Sequence, residues 1–323
     1  MKSLTSLFIL LLLAVAVLPG ASAELAQGLS VVFDPPFPKA GETVTAKAVL
    51  TGTDSSLSSF EWYKNGRQEL TASGKGKNSF SFKLGTESRT TVDVIVVTPE
   101  GSRLSATQAT TRERPALVWW ADTLAPVWYK GKVSPSPGAT VNILAIPGTG
   151  FGEKAENLIY SWSVNLEQRP EISGTGRDRF TLKVSLVSDI IQQVTVRISN
   201  SAQTIAQEAT LLLPTRRPEV LVYKLLPTGG VDFSKMVTLF AGESGGTFDF
   251  AAVPFFFRSD QLSLLKYDWR VNNQAVGGTT QKPHIISLKT KSGDASQNNV
   301  SVKTSGGGAD TQEADFTFTA SFR

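Results

Sequence analysis

The sequence predicts an all-β protein: three tandem β-sandwich domains behind an N-terminal signal peptide. Three observations predict it. A tryptophan recurs in one small frame, as Phe60-Glu61-Trp62-Tyr63-Lys64-Asn65-Gly66, Tyr160-Ser161-Trp162-Ser163-Val164-Asn165 and Tyr267-Asp268-Trp269-Arg270-Val271-Asn272-Asn273, at spacings of 100 and 107 residues. Around each frame, short runs alternate apolar and polar residues, the period of a half-buried strand. Beyond the signal segment, no stretch keeps the 3.6-residue apolar period of a helix.

Taken in order, the chain opens with Lys2, an apolar run from Leu7 to Leu18, a Pro19-Gly20 break and the small residues Ala21-Ser22-Ala23. That is the layout of a cleaved signal peptide, residues 1–23. The run is shorter than the roughly 20 residues that span a bilayer, so the mature chain is expected to carry no transmembrane span. Export places the protein outside the cell, on its surface or in the periplasm. The alternative is that the segment stays as an anchor.

Ahead of each tryptophan lies an alternating strand: Val44, Ala46, Ala48 and Leu50; Val141, Ile143 and Ala145; Phe248, Phe250 and Ala252. Pro38-Lys39-Ala40-Gly41-Glu42 and Pro135-Ser136-Pro137-Gly138-Ala139 are turns that start the first two. Asn65-Gly66 is a hairpin signal, because both residues tolerate positive φ. The run Ser73-Gly74-Lys75-Gly76-Lys77-Asn78-Ser79-Phe80 matches Ser173-Gly174-Thr175-Gly176-Arg177-Asp178-Arg179-Phe180 at the same offset of 100. Its glycines read as turn residues, not as a phosphate loop, because no helix follows. The next strand reads Val92, Val94, Val96, then Val194, Val196, Ile198, then Val300, Val302. The last strand is clearest as Phe316, Phe318, Ala320 and Phe322. Charged, proline-bearing links at Arg112-Glu113-Arg114-Pro115 and Pro214-Thr215-Arg216-Arg217-Pro218 set the expected domains at 24–114, 115–217 and 218–323.

These residues resemble the immunoglobulin-like and PKD-like repeats of bacterial surface proteins. The carriers are the strand with its aromatic-x-Trp core pair and the Asn-Gly-type turn after it. The resemblance covers nearly all of residues 25–323. It implies immunoglobulin-like sandwiches outside the membrane, used as spacers, adhesive units or recognition units. The paired cysteines of antibody-type domains and their tyrosine corner are absent. The Trp-Asp-Phe-Gly-Asp-Gly type of PKD signature appears only as Trp62-Tyr63-Lys64-Asn65-Gly66.

The chemistry-bearing residues point away from catalysis. With no cysteine there is no lipid attachment at the cleavage site, no disulfide and no thiolate metal site. The one histidine, His284, has no Gly-x-Ser-x-Gly elbow beside it and cannot supply a zinc site alone. The densest acidic set, Asp232, Glu243, Asp249, Asp260 and Asp268, falls on expected turns and outward strand positions. No calcium-loop motif is present. The sequence therefore predicts no enzyme, no cofactor and no metal. A net charge of +4 over 323 residues, with no basic run, gives no reason to expect a nucleic-acid partner.

One cluster has better claims. Val118-Trp119-Trp120-Ala121-Asp122 and Pro126-Val127-Trp128-Tyr129-Lys130 hold three of the six tryptophans outside the repeated frame. Val253-Pro254-Phe255-Phe256-Phe257 is a milder analogue in the third copy. Adjacent Trp119 and Trp120 must face opposite sides of a strand, so one enters the core and the other needs a cover or a ligand. Trp119, Trp120, Trp128 and Tyr129 are thus the candidate surface for a protein or polysaccharide of the cell envelope. The competing expectation is that they pack at the junction of the first and second domains. The function expected is a spacer or protein-interaction module in a bacterial surface or appendage assembly. A glycan-binding or adhesive protein is the alternative, and an envelope hydrolase a remoter one.

Overall fold

The computed structural model describes residues 27–111, 113–277, 281–293, 295–307 and 310–323. The expected signal segment, residues 1–23, lies outside the described residues, as does Arg112 of the first expected boundary. The described residues are overwhelmingly strand; their one α-helix is the single turn Ser259–Leu262. No helix among them is long and apolar enough to cross a membrane.

The chain forms two compact units. One holds the described residues up to Pro36, Val44–Phe82 and Thr91–Gln108; the other holds Phe37–Thr43, Lys83–Thr90 and Ala109–Arg323.

The first unit is built on two antiparallel sheets. Gly28–Asp34, Thr43–Thr51 and Ser79–Lys83 form one, with Thr43–Thr51 central. The other runs in the order Arg67–Gln68, Ser59–Lys64, Arg89–Val97 and Arg103–Thr111. Arg67–Gln68 folds back on Ser59–Lys64 across Asn65 and Gly66, whose φ values are +49° and +77°. That places the fourth strand in the second sheet, where an antibody constant domain has it in the first. Val44, Ala46, Phe60, Trp62, Val92, Val94 and Val96 fill the core, the residues whose alternation marks these strands in the sequence.

The second unit repeats the same order twice. One sheet pair joins Ala116–Ala121, Thr140–Ile146 and Arg179–Lys183 to a sheet of Glu167–Gln168, Ile159–Val164, Ile191–Ser199 and Ala206–Pro214. The other pair sets Val231–Met236, Glu219–Leu225, Thr247–Phe255 and Ile285–Lys289 against Glu313–Phe322, Ser296–Ser305, Lys266–Val271 and Gln274–Val276. It gains two strands: Val231–Met236 on the edge of the first sheet, and Leu239–Gly242, which pairs parallel to Thr319–Phe322 on the edge of the second. Each pair has its own core, one around Trp162 and Ile198, the other around Trp269 and Phe318.

The repeated frame is a repeated set of hydrogen bonds. Trp62, Trp162 and Trp269 are at most 1% exposed. Their indole N–H groups donate to the carbonyls of Lys77, Arg177 and Pro283 at 2.9, 2.8 and 3.1 Å. A buried indole needs such an acceptor. In the first two copies the Ser-Gly-x-Gly run supplies the bend that brings the acceptor close. Ser73 and Ser173 accept the backbone N–H of Trp62 and Trp162 and donate to the carbonyls of Glu69 and Arg169. Gly176 sits at φ +68°, and a Cβ there would lie 2.9 Å from the Glu156 carbonyl oxygen, so only glycine fits.

The asparagine three residues after each tryptophan pins the hairpin to a neighbouring strand. Asn65, Asn165 and Asn272 each adopt positive φ, and each side-chain carbonyl accepts one backbone N–H, from Thr91, Gln193 and Asn299 respectively. In the second copy the next residue is Leu166, at φ +69° and 80% exposed. A leucine in the left-handed region carries about 1–2 kcal/mol of strain, and this side chain packs on little that would offset it. Leu166→Gly is therefore expected to raise stability by about 1 kcal/mol, read as a higher urea midpoint with an unchanged slope.

Candidate functional site

The first strand of the second sheet pair, Ala116–Ala121, is an edge strand paired only with Thr140–Ile146. Alternation sends Leu117, Trp119 and Ala121 against the core. Lys132 lies over the Trp119 ring with its Nζ 3.8 Å from the centroid, and burial there lowers the lysine pKa. Trp120 faces the other way and is 53% exposed. Its cross-strand neighbour is Asn142, and beyond Asn142 lies Thr181. The next row holds Val118, Leu144 and Arg179, and Ile146 completes the apolar set. The polar groups of this face bond to one another: Thr181 donates to Asn142 at 2.9 Å, and Arg179 grips Asp178 with two bonds of 3.0 and 3.1 Å. Trp120, Val118, Leu144 and Ile146 form the apolar part of the face, and Lys183 and Arg179 stand exposed beside it.

Trp128 and Tyr129 are elsewhere. They ride on the insertion between Ala116–Ala121 and Thr140–Ile146, and this insertion crosses to the third sheet pair. Thr123–Leu124 pairs with Phe257–Arg258, and Leu124 accepts the Phe256 N–H at 2.7 Å. Trp128 then stands edge-on to Tyr223 and Phe255, both at 5.6 Å, and tilts over Phe233 at 4.3 Å. Tyr129 meets Phe255 and Phe256 edge-on. These residues, with Ala125, Val133, Leu221, Val231 and Val253, form a separate apolar cluster on the outer face of the third pair's first sheet. The expected junction with the first domain is thus corrected for Trp128 and Tyr129: their partners belong to the third copy. The reason is the length of the insertion, which lets it reach past its own sandwich.

The analogous run in the third copy is the receiving half of this contact. Phe256 has φ +59°, a strained value for an aromatic residue. The kink lets Phe255 and Phe256 turn into the outer cluster while Phe257 enters the inner core. Buried Gln312 locks the same junction. Its amide donates to Ser136 at 2.7 Å and to the Pro137 carbonyl at 3.3 Å, and its oxygen accepts the Arg258 N–H at 2.8 Å.

The residues that tempt toward catalysis are dispersed. His284 borders a cavity of about 430 Å³ with Leu225, Val231, Val253, Tyr267 and Lys282, and among the described residues no carboxylate lines it. Burial, helped by Lys282, lowers the His284 pKa. Asp260 pairs with Arg258, Asp268 with Arg270, Asp232 with Ser234 and Asp249 with Ser287, each in its own place. Among the described residues no group of His, Asp and Glu is gathered as a metal would require.

Two-sheet order, repeated frame and repeated cores define the class: an immunoglobulin-like tandem-repeat protein of all-β build. No family model matches the chain, and no curated protein matches it. Among solved structures, it is similar to the three N-terminal domains of the highly immunogenic outer capsid protein of bacteriophage RB49, at 15% identity over 92% of this chain and 99% of that one, with a TM-score of 0.24. It is similar to the fibronectin(III)-like modules of Clostridium thermocellum CbhA, at 13% identity over 58% and 94%, with a TM-score of 0.26. A third is SGBP-B of the Bacteroides ovatus mixed-linkage glucan utilization locus, solved with a mixed-linkage heptasaccharide, at 11% identity over 96% and 69%, with a TM-score of 0.22. Likenesses this distant carry no statement about role.

Proposed function

We propose that this chain is an exported, non-enzymatic protein of a bacterial surface or envelope that serves as a spacer or protein-interaction module in a larger assembly. Its three sandwiches correspond to residues 24–114, 115–217 and 218–323, and residues 1–23 direct export. The observation that carries the reading is an asymmetry between two equivalent sheet faces. On the third copy Trp128 and Tyr129 lie over the face; on the second it is open, with Trp120 half exposed at its centre. Trp119 packs against its own core and Trp128 and Tyr129 lie half buried on the third copy, which leaves Trp120 with its aliphatic neighbours as the residue we assign to recognition.

A protein partner suits this face better than a sugar. Asn142 and Thr181, the polar groups nearest the ring, bond to each other. Val118, Leu144 and Ile146 offer only apolar contact. The exposed indole keeps the glycan-binding reading as the second.

Capture of partners from native envelope by the wild type and by Trp120→Ala tests the proposal. The variant is expected to melt within about 2 °C of the wild type, because an outward side chain adds little to the fold. It is expected to lose most capture, since an exposed interface tryptophan is worth roughly 2 kcal/mol or more. Undiminished capture by the variant would overturn the assignment. Quenching of tryptophan emission by envelope polysaccharide, lost in the variant, would favour the glycan reading.

A further inference from the structure

We infer that the open edge of Ala116–Ala121 is a strand-addition site, where an extended segment of a partner protein pairs antiparallel beside Trp120. Resting on the interaction role proposed above, it gives the partner a chemistry: main-chain donors and acceptors first, apolar side chains second.

The pleat decides which groups are free. Asp122 donates its N–H to the Thr140 carbonyl at 2.9 Å, and Thr140 donates its own to the Asp122 carboxylate at 2.9 Å. Bonding alternates along an antiparallel ladder, so Val118 and Trp120 direct their main-chain groups at Thr140–Ile146. Leu117, Trp119 and Ala121 turn theirs outward, and among the described residues nothing is bonded to them. Open edges are ordinarily guarded by charge or proline. Among the described residues, every other sheet-edge strand of five residues or more carries a charge, such as Glu208 in Ala206–Pro214 or Lys289 in Ile285–Lys289. Ala116–Ala121 carries neither charge nor proline.

The third sandwich shows what such an edge takes. The bonded pair Thr181–Asn142 recurs there as Ser287–Asp249. Aligned on that pair, Val118 corresponds to Tyr223 and Trp120 to Leu225. Strand Val231–Met236 lies antiparallel on this edge, with Met236 opposite Tyr223 and Val231 opposite Leu225. Just beyond it, Val237 donates its N–H to the Val222 carbonyl at 2.8 Å. Phe233 meets Tyr223 edge-on at 5.8 Å, and Val231 joins the outer cluster. The third sandwich supplies this strand from its own segment 226–246. In the second, the matching segment 122–139 is drawn away to pair with Phe257–Arg258. It leaves an equivalent edge unfilled, beside Trp120 and Val118 at 53% and 43% exposed. A strand laid there bonds to Leu117, Trp119 and Ala121 and sets every second side chain next to Val118 and Trp120. The fit asks for an extended segment of about five residues, apolar at alternate positions and without proline at the bonded ones.

Amide hydrogen exchange of the mature chain tests this. The probe is a synthetic peptide with the sequence of residues 231–238, the stretch that fills the equivalent edge. At millimolar peptide the amides of Leu117, Trp119 and Ala121 are expected to exchange about 10-fold more slowly, while those of Val118 and Trp120, already bonded, keep their rates. Methylating the backbone nitrogens of one alternate set of peptide residues should abolish the protection, and methylating the other set should leave it. Ala121→Pro removes one outward N–H and none of the bonds to Thr140–Ile146. It should weaken peptide binding about 5-fold or more, read at Leu117 and Trp119. The methylated peptides probe the wild type, so the test holds even if that variant folds poorly. Unprotected Leu117, Trp119 and Ala121, or equal effects of the two methylated sets, overturn the inference. Protection that rises with protein concentration in the absence of peptide also overturns it and makes a second copy the occupant. If the edge stays unprotected yet Trp120→Ala loses envelope capture, the interaction reading stands with a partner on the face alone. If capture is also undiminished, both fail.

Discussion

Trp162→Ala is expected to destabilise the protein by about 3–5 kcal/mol, the range for removing a large aromatic side chain from a packed core. Trp62→Ala and Trp269→Ala should fall in the same range. Burying an indole removes about 200 Å² of surface from water, worth roughly 5 kcal/mol. The indole bond to the Arg177 carbonyl is lost with it. The distribution of the loss is as informative as its size. The second and third sandwiches share one compact unit, whereas most of the first, including Trp62, lies in the other. In a calorimetric scan Trp62→Ala should therefore lower one transition and leave the other in place. Trp162→Ala and Trp269→Ala should lower a shared transition. Three independent transitions, each answering to one tryptophan, would count against a fused second and third copy.

The second large effect is expected at Trp128. Trp128→Ala should cost about 2–4 kcal/mol, somewhat less than a core tryptophan because the ring is only half buried. It removes the aromatic layer over Tyr223, Phe233 and Phe255. A double-mutant cycle with Phe233→Ala separates packing from general loss. The rings lie 4.3 Å apart, and a coupling of about 0.5–1.5 kcal/mol is expected. Additive losses would mean that the two rings do not act together. Cutting the chain near Arg216–Arg217 should also expose Trp128 and red-shift emission of the 115–217 fragment.

The inner cores were legible in the sequence because their signal is local. Val92, Val94 and Val96, or Val194, Val196 and Ile198, announce a strand by alternation alone, and Asn65-Gly66 announces its hairpin by conformational tolerance. The split of Trp119 and Trp120 between two faces followed from the pleat. The partnership of the insertion did not. Both halves were visible as aromatic runs outside the repeat, Pro126-Val127-Trp128-Tyr129 and Val253-Pro254-Phe255-Phe256-Phe257. Composition marks such runs as surfaces in need of a cover but does not say which covers which. The extra parallel strand Leu239–Gly242 was hidden for a related reason. Four residues with one inward side chain, Phe240, give too short an alternation to stand out from a loop.

That short strand changes how the third sandwich bears load. Leu239–Gly242 runs in the same direction as Thr319–Phe322 and is bonded to it in register. Tension that draws the first strand, Glu219–Leu225, away from the last strand, Glu313–Phe322, reaches this patch along the strand axis. Its hydrogen bonds are then sheared together instead of being peeled singly. Resistance to pulling is set by the rate at which that whole patch gives way, not by equilibrium stability. A module under tension gains from such a clamp even when its melting temperature is ordinary.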